Sequence, residues 1–367
     1  MGELATTTVV GIGGFVTGLA FGAAAQRTNF CTMGAISDLV LMEDGRRFRA
    51  WMLAIAVAIV GSHALHFAGA VDLNKSIYLT SNLGWLGAIL GGAMFGFGMT
   101  MTGGCGSKTM VRLGAGNLKS LMVALVLGIV AYMTLRGLFA LARVRLEAAT
   151  NIDLKARGLG NQNIGEMAGA LLGMPAGAGR AAAALAVAAA LLVFCARDAA
   201  FRRSPTDIAG GLIVGLTAVT GWAVTGILGA DEFTPAPLAS ITFVSPVGEG
   251  IQYLMTFTGS TVNFGIAVVG GVIAGSFLMA AATGTFRVEG FNDRADFIRH
   301  IGGAALMGSG GVLALGCSIG QGITGMSTLA LGSVLAWLSI VAGGYLGVKY
   351  LEEGSFSGAV RAVFARG

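Results

Sequence analysis

The sequence predicts an all-α polytopic membrane protein with about nine transmembrane helices, short re-entrant helices and an inverted internal repeat. Three observations carry this. First, 55% of the 367 residues are hydrophobic and 11% are charged, against about 25% charge in soluble domains. Second, apolar runs of spanning length recur from end to end. Third, two glycine-rich stretches of the first half return, in the same order, in the second half.

The length suits a single transmembrane domain over residues 1–367. The mean hydropathy is +0.79. The 61 glycines suit helices that approach closely or break within the membrane. A net charge of +5 raises the question of nucleic acid. No basic block with interleaved aromatics exists, so the excess reads as loop charge and nucleic acid is not an expected partner.

Nine spans are expected, at about 6–25, 49–70, 82–101, 119–142, 181–196, 207–229, 262–283, 300–316 and 331–350. The fifth is short for a bilayer that takes ~20 helical residues. Segments 26–48, 102–119, 197–206, 284–299 and the C-terminal tail carry sixteen Lys and Arg, counting the bordering Arg49 and Lys349 and including Arg366; the opposite side carries six. This bias predicts an outside N-terminus, a cytoplasmic C-terminus and a long outside loop at 143–180. Arg136 falls inside the fourth span, where it either supplies positive potential or snorkels.

"GGFVTGL" at 13–19 returns as "GGLIVGL" at 210–216, an offset of 197. "GGAMFGFGMTMTGGCGS" at 91–107 returns as "GGAALMGSGGVLALGCSIG" at 302–320, and an offset of 212 aligns Cys105 with Cys317. The repeats run roughly over 1–150 and 200–367. An odd number of spans separates them, so they have opposite orientations. That arrangement is a transporter signature, with the substrate held between the repeats. At the shorter offset Cys31 pairs with Leu228, so the symmetry is incomplete.

Three of the four cysteines sit in broken segments: "QRTNFCTMGA" at 26–35, "TGGCGSKTM" at 102–110 and "LGCSIGQGITG" at 315–325. Each follows a span and is too short to cross, which suggests re-entry. Irregular backbone at membrane depth survives only if it is buried in protein or lines a cavity. A helix start there offers N–H groups to an anion. A thiol is soft, with a weak S–H donor, so it can touch a sulfur-bearing anion without trapping it. The competing reading is a buried cysteine acting as a small hydrophobe. Cys195, in "LLVFCARD" with no glycine break, fits that second reading best. No C-x-x-C spacing exists, so neither zinc nor a dithiol redox motif is indicated.

"RTNFC" at 27–31, "GGCGS" at 103–107, "RLGAGN" at 112–117, "FGIAVVGGVIAGSF" at 264–277, "FRVEGF" at 286–291 and "GCSIGQGITGMSTLALGS" at 316–333 resemble the YeeE/YedE family of bacterial sulfur-compound transporters over nearly the whole chain. The resemblance implies an inner-membrane protein that takes up thiosulfate. It also implies that Cys31, Cys105 and Cys317 pass the ion along a narrow path by S–H···S contacts. Thiosulfate or a related sulfur anion, membrane lipid and a cytoplasmic small sulfur-carrier protein are the partners to consider. No cofactor, metal site or enzyme activity is expected. Lys108-Thr109 departs from the family pattern, where smaller or neutral residues are expected, and leaves sulfite, sulfide or a selenium species open as cargo.

Around the thiols, Gly104, Gly106, Gly316 and Gly320 either let the backbone approach the path or merely serve packing. Gln321 and Thr324 share a face with Cys317 if that segment is helical, and Gln321 then either donates to an anion or braces a helix contact. Ser107 and Asn29 are further candidates. His63 and His66 lie three apart, with no third ligand nearby in sequence, and read as a packed or interfacial pair.

Overall fold

The computed structural model describes residues 6–231, 235–291 and 293–364. Arg366, counted above, lies outside the described residues. Each apolar run becomes a helix, and each glycine-rich or capped junction ends one. The order is α1 (Thr6–Thr28), α2 (Thr32–Leu41), α3 (Arg46–Phe67), α4 (Trp85–Met101), α5 (Gly106–Gly114), α6 (Leu118–Leu135), α7 (Ala140–Thr150), α8 (Ile164–Leu171), α9 (Ala176–Ala196), α10 (Ala199–Arg202), α11 (Pro205–Ala223), α12 (Val244–Met255), α13 (Phe264–Ala282), α14 (Arg294–Leu313), α15 (Leu331–Glu353) and α16 (Phe356–Phe364). A two-residue antiparallel pair, Asn82–Leu83 with Ile152–Asp153, is the one sheet among the described residues.

Polar caps start the helices where the sequence provides them. Asn117 Oδ1 accepts from Ser120 N at 2.9 Å, and Asn263 Oδ1 from Ile266 N at 2.9 Å. Asp293 Oδ1 accepts from Asp296 N at 2.7 Å. Each satisfies one of the N–H groups a helix start leaves open.

Eight of the described helical segments are long and apolar enough to cross a bilayer: Thr6–Leu41, Arg46–Phe67, Trp85–Gly114, Leu118–Leu135, Ala176–Ala196, Pro205–Leu228, Phe264–Ala282 and Leu331–Glu353. The chain is therefore a multi-pass membrane protein. The expected span at 300–316 falls on α14, a 20-residue helix whose first turns carry Arg294, Asp296 and Arg299. The short fifth run is extended: α9 begins at Ala176 after Pro175 and has 21 residues. Arg136 falls outside the apolar helix expected to contain it. Helix α6 stops at Leu135, with an exposed Arg136 at its C-cap and Gly137 beyond.

Bare glycine backbone brings the helices together. On α1, Gly14, Gly18 and Gly22 face α13, and a Cβ on Gly18 would stand 2.2 Å from the Val268 carbonyl oxygen. Small residues four apart let membrane helices touch along their backbones. Helix α4 crosses α14 in the same way and antiparallel: Gly91 meets Gly310, and Gly98 meets Gly303. An offset of 212 turns each of those contacts into the other. The other pairings are also reciprocal. Helix α1 lies on α13 as α11 lies on α3, and α4 lies on α15 as α14 lies on α6.

Candidate functional site

All three broken segments fold alike. The chain leaves a long helix, turns back and starts a short helix at a cysteine. Cys31 is the N-cap of α2, and its sulfur accepts from Gly34 N at 3.5 Å. Cys317 opens the segment 318–328, and its sulfur accepts from Gly320 N at 3.3 Å. Phe243, at the N-cap of α12, lies near Cys317. Cys105 is the N-cap of α5 but has no side-chain capping bond; its sulfur lies 3.2 Å from Ser107 Oγ, with Thr32 Oγ1 at 3.9 Å.

These starts meet inside the protein. The Cys31 and Cys105 thiols stand side by side. The Ser318 hydroxyl lies beside Cys105, beyond hydrogen-bond geometry and otherwise unpartnered. Cys317 lies near Cys105 and Tyr78. Cys31, Cys105 and Cys317 are 6%, 1% and 0% exposed. All four cysteines are free thiols.

Cys195 differs in the sense of its hydrogen bond. Its S–H donates to the Arg49 carbonyl at 3.3 Å, in the contact of α9 with α3. The Cys31 and Cys317 sulfurs instead accept backbone N–H groups, which leaves their protons free to donate elsewhere.

The other expected residues take definite places. Gly104 forms the turn before Cys105, and a Cβ there would stand 3.2 Å from Lys108 Cβ. Gly106 starts α5 opposite Phe243, and a Cβ on Gly316 would meet Gln321 at 3.2 Å. Gln321 is buried; its Nε2 donates to the Ala314 carbonyl and its Oε1 has no partner. Thr324 donates to the Ile241 carbonyl at 2.7 Å. Residues Gly320–Gly325 form a π-helix, so the α-helical spacing assumed for Cys317, Gln321 and Thr324 does not apply. Asn29 accepts from Lys108 Nζ at 2.6 Å.

A cavity of about 610 Å³ opens on the face that carries the turns after α1, α4 and α13. It reaches Asn29, Gly103, Lys108 and Arg112. On the opposite side, a gap of only about 20 Å³ lies between Tyr78, Ala314 and Gln321.

Two features escaped the sequence reading. Phe243, not Leu228, occupies the α12 N-cap that corresponds to Cys31; the long connection 229–243 shifts the offset to 212. Arg180 is 1% exposed and joins Glu166 Oε1 at 2.7 Å, Asn74 Oδ1 at 2.6 Å and His66 Nε2 at 2.5 Å. His66 is thus tied to α9, while His63 bonds its own helix at the Ile59 carbonyl. Among the described residues no cluster of three or more His, Cys, Asp or Glu could hold a metal ion.

Helices broken at buried polar starts, within a bundle of helices long enough to span a bilayer, are an architecture that membrane transport proteins use. The profile of the sulphur transport family matches residues 27–346, and the chain belongs to that family. It is 26% identical over 342 residues to the thiosulfate transporter TsuA of Escherichia coli (strain K12), covering 90% of each chain. It is also 26% identical over 351 residues to the thiosulfate transporter TsuA of Spirochaeta thermophila, covering 90% of this chain and 96% of that one. The protein is a transporter of sulfur compounds.

Proposed function

We propose that the protein takes up thiosulfate across the bacterial inner membrane along a narrow path lined by Cys31, Cys105 and Cys317. The observation that carries the reading is the meeting of three buried thiols at helix starts, two of them accepting N–H and keeping S–H to donate. The terminal sulfur of thiosulfate is large and soft. S–H···S contacts to it are weak, and several shallow contacts in series favour passage over retention. Gly104, Gly106 and Gly316 keep side chains out of the turns that aim the thiols. Gln321 holds its turn shut through the Ala314 carbonyl.

In this reading the two halves form an inverted duplication, supported by the reciprocal contacts of α4 with α14. The N-terminus is outside and the basic cavity is cytoplasmic, so the ion leaves where a soluble sulfur acceptor can receive it. The relatives' names favour thiosulfate over sulfite, sulfide or a selenium species.

The test is growth on thiosulfate as sole sulfur source. Cys31→Ala, Cys105→Ala and Cys317→Ala are each expected to cut uptake of labelled thiosulfate by about tenfold or more, the weight of ~1.4 kcal/mol on the rate-limiting barrier. Cys195→Ala keeps wild-type uptake. Equal tolerance of all four substitutions removes the thiol path. Stronger inhibition by unlabelled sulfite than by unlabelled thiosulfate reassigns the cargo.

A further inference from the structure

The basic cavity holds more cations than its carboxylates neutralise. Lys119 Nζ and Arg299 Nη2 are bound to Asp296, at 2.8 and 2.9 Å. Glu289 accepts from Asn117 Nδ2 at 2.7 Å. Deeper in, Lys108 is 7% exposed, and among the described residues the one hydrogen bond of its ammonium is to the neutral Asn29 Oδ1 at 2.6 Å. An ammonium has three protons to donate, so two stay unused. Among the described residues no carboxylate pairs with it.

Arg112 lies four residues on, on the same face of α5. Its Nη1 reaches over the Gly103–Gly104 turn, 3.5 Å from where a Cβ on either glycine would stand. No hydrogen bond or ion pair holds this guanidinium among the described residues. Two like charges one helical turn apart repel, and a buried ammonium without a counter-charge is costly. A small anion between them relieves both penalties.

The thiol pair is next door: Lys108 lies close to both Cys31 and Cys105. The mirrored segment has no such charge. At the offset of 212, Lys108 corresponds to Gly320 and Arg112 to Thr324, both buried.

We propose that Lys108 and Arg112 form a subsite for a small divalent oxyanion at the neck of the basic cavity, immediately beyond the Cys31–Cys105 pair. It rests on the transport reading above and deepens it. The thiols pass the ion through its soft end, and the cations then hold its oxygens. Because only one end of the path carries these charges, the anion is drawn toward the basic cavity.

The test uses the full chain in proteoliposomes of known orientation, with inorganic sulfate as the probe on the basic-cavity side. Sulfate there is expected to inhibit thiosulfate uptake. Lys108→Met and Arg112→Gln each raise the half-inhibiting sulfate concentration about tenfold, as expected for one lost charge-assisted hydrogen bond. Lys108→Arg, which keeps the charge, stays near wild type. Equal inhibition of wild type and Lys108→Met overturns the subsite. A second readout is the thermal stabilisation of the purified protein by sulfate. Its presence in wild type and loss in Lys108→Met supports the subsite even if no thiosulfate moves, a result that sinks only the transport reading. Its absence in wild type, beside intact cysteine-dependent uptake, sinks only the subsite.

Discussion

Helix α5 and the segment 318–328 both begin at a cysteine and both return the chain toward a long helix, yet they differ in shape, charge and burial. Helix α5 is a regular α-helix that carries Lys108 and Arg112 and borders the basic cavity. Segment 318–328 is wound as a π-helix over Gly320–Gly325 and a 3₁₀ turn over Met326–Thr328, with no charge and only Met326 not fully buried. Its polar groups close on neighbouring backbone and side chains. Thr324 donates to the Ile241 carbonyl, Trp222 Nε1 donates to Ser327 Oγ at 3.0 Å, and Asn163 Nδ2 donates to the Thr328 carbonyl at 2.8 Å. A π-turn widens the helix and is common at functional sites. The same motif, a cysteine at a helix start, is thus a charged mouth on one side and an uncharged, buried plug on the other, in which only the Ser318 hydroxyl and Gln321 Oε1 among the described side-chain polar atoms lack a partner.

The sharpest way to break that contrast is to enlarge the plug. A Cβ on Gly320 would lie 2.5 Å from Thr242 Oγ1, inside any real contact distance. Overpacking of a close-packed site costs about 1–3 kcal/mol or more. Gly320→Val should therefore lower the melting temperature of the purified protein and abolish uptake together. The matching change on the other segment, Lys108→Val, relieves a buried charge and should leave the melting temperature near wild type. Similar melting losses in both would show the two segments to be equally packed.

A smaller effect is expected at Gln321. Its amide spans the turn to the Ala314 carbonyl while its Oε1 is unpaired. Gln321→Leu removes the orphan oxygen and the bridging donor together. The lost bond at a buried carbonyl costs about 1–3 kcal/mol, partly offset by the vanished oxygen. A modest melting loss with reduced uptake is the expected result. Unchanged uptake would make Gln321 a brace only.

Much of this was readable from residue order. Apolar runs located the helices, because spans must satisfy their backbone internally. Breaks at Gly103–Gly104 and Gly316 marked the cysteine turns. What escaped depended on contacts between distant segments. The run 181–196 ended where Arg180 begins, since a guanidinium reads as a loop residue; its burial depends on Glu166, Asn74 and His66 arriving from elsewhere. In sequence Arg136 reads as part of a span because Gly137 alone does not announce a helix end. The meeting of Cys31 with Cys105 joins residues far apart in the chain and leaves no periodic trace. In sequence Lys108 is only a departure from the family pattern; its burial, without a carboxylate partner among the described residues, is a property of the fold.

The smallest prediction tests how far the mirrored backbones agree. Gly103, before Cys105, has φ +68°; Leu315, its counterpart at the offset of 212 before Cys317, has φ +57°. Left-handed backbone suits glycine and costs an L side chain about 1–2 kcal/mol. Leu315 is half exposed, so its side chain returns little burial. Leu315→Gly should relieve the strain at the price of greater chain freedom when unfolded, about 0.5–1 kcal/mol. The net expected change is a slight rise in melting temperature with uptake intact. Gly103→Leu introduces the same penalty with no native compensation and should lower stability. If instead Leu315→Gly destabilises, the leucine anchors the plug by contact, and the two turns share a backbone shape without sharing its cause.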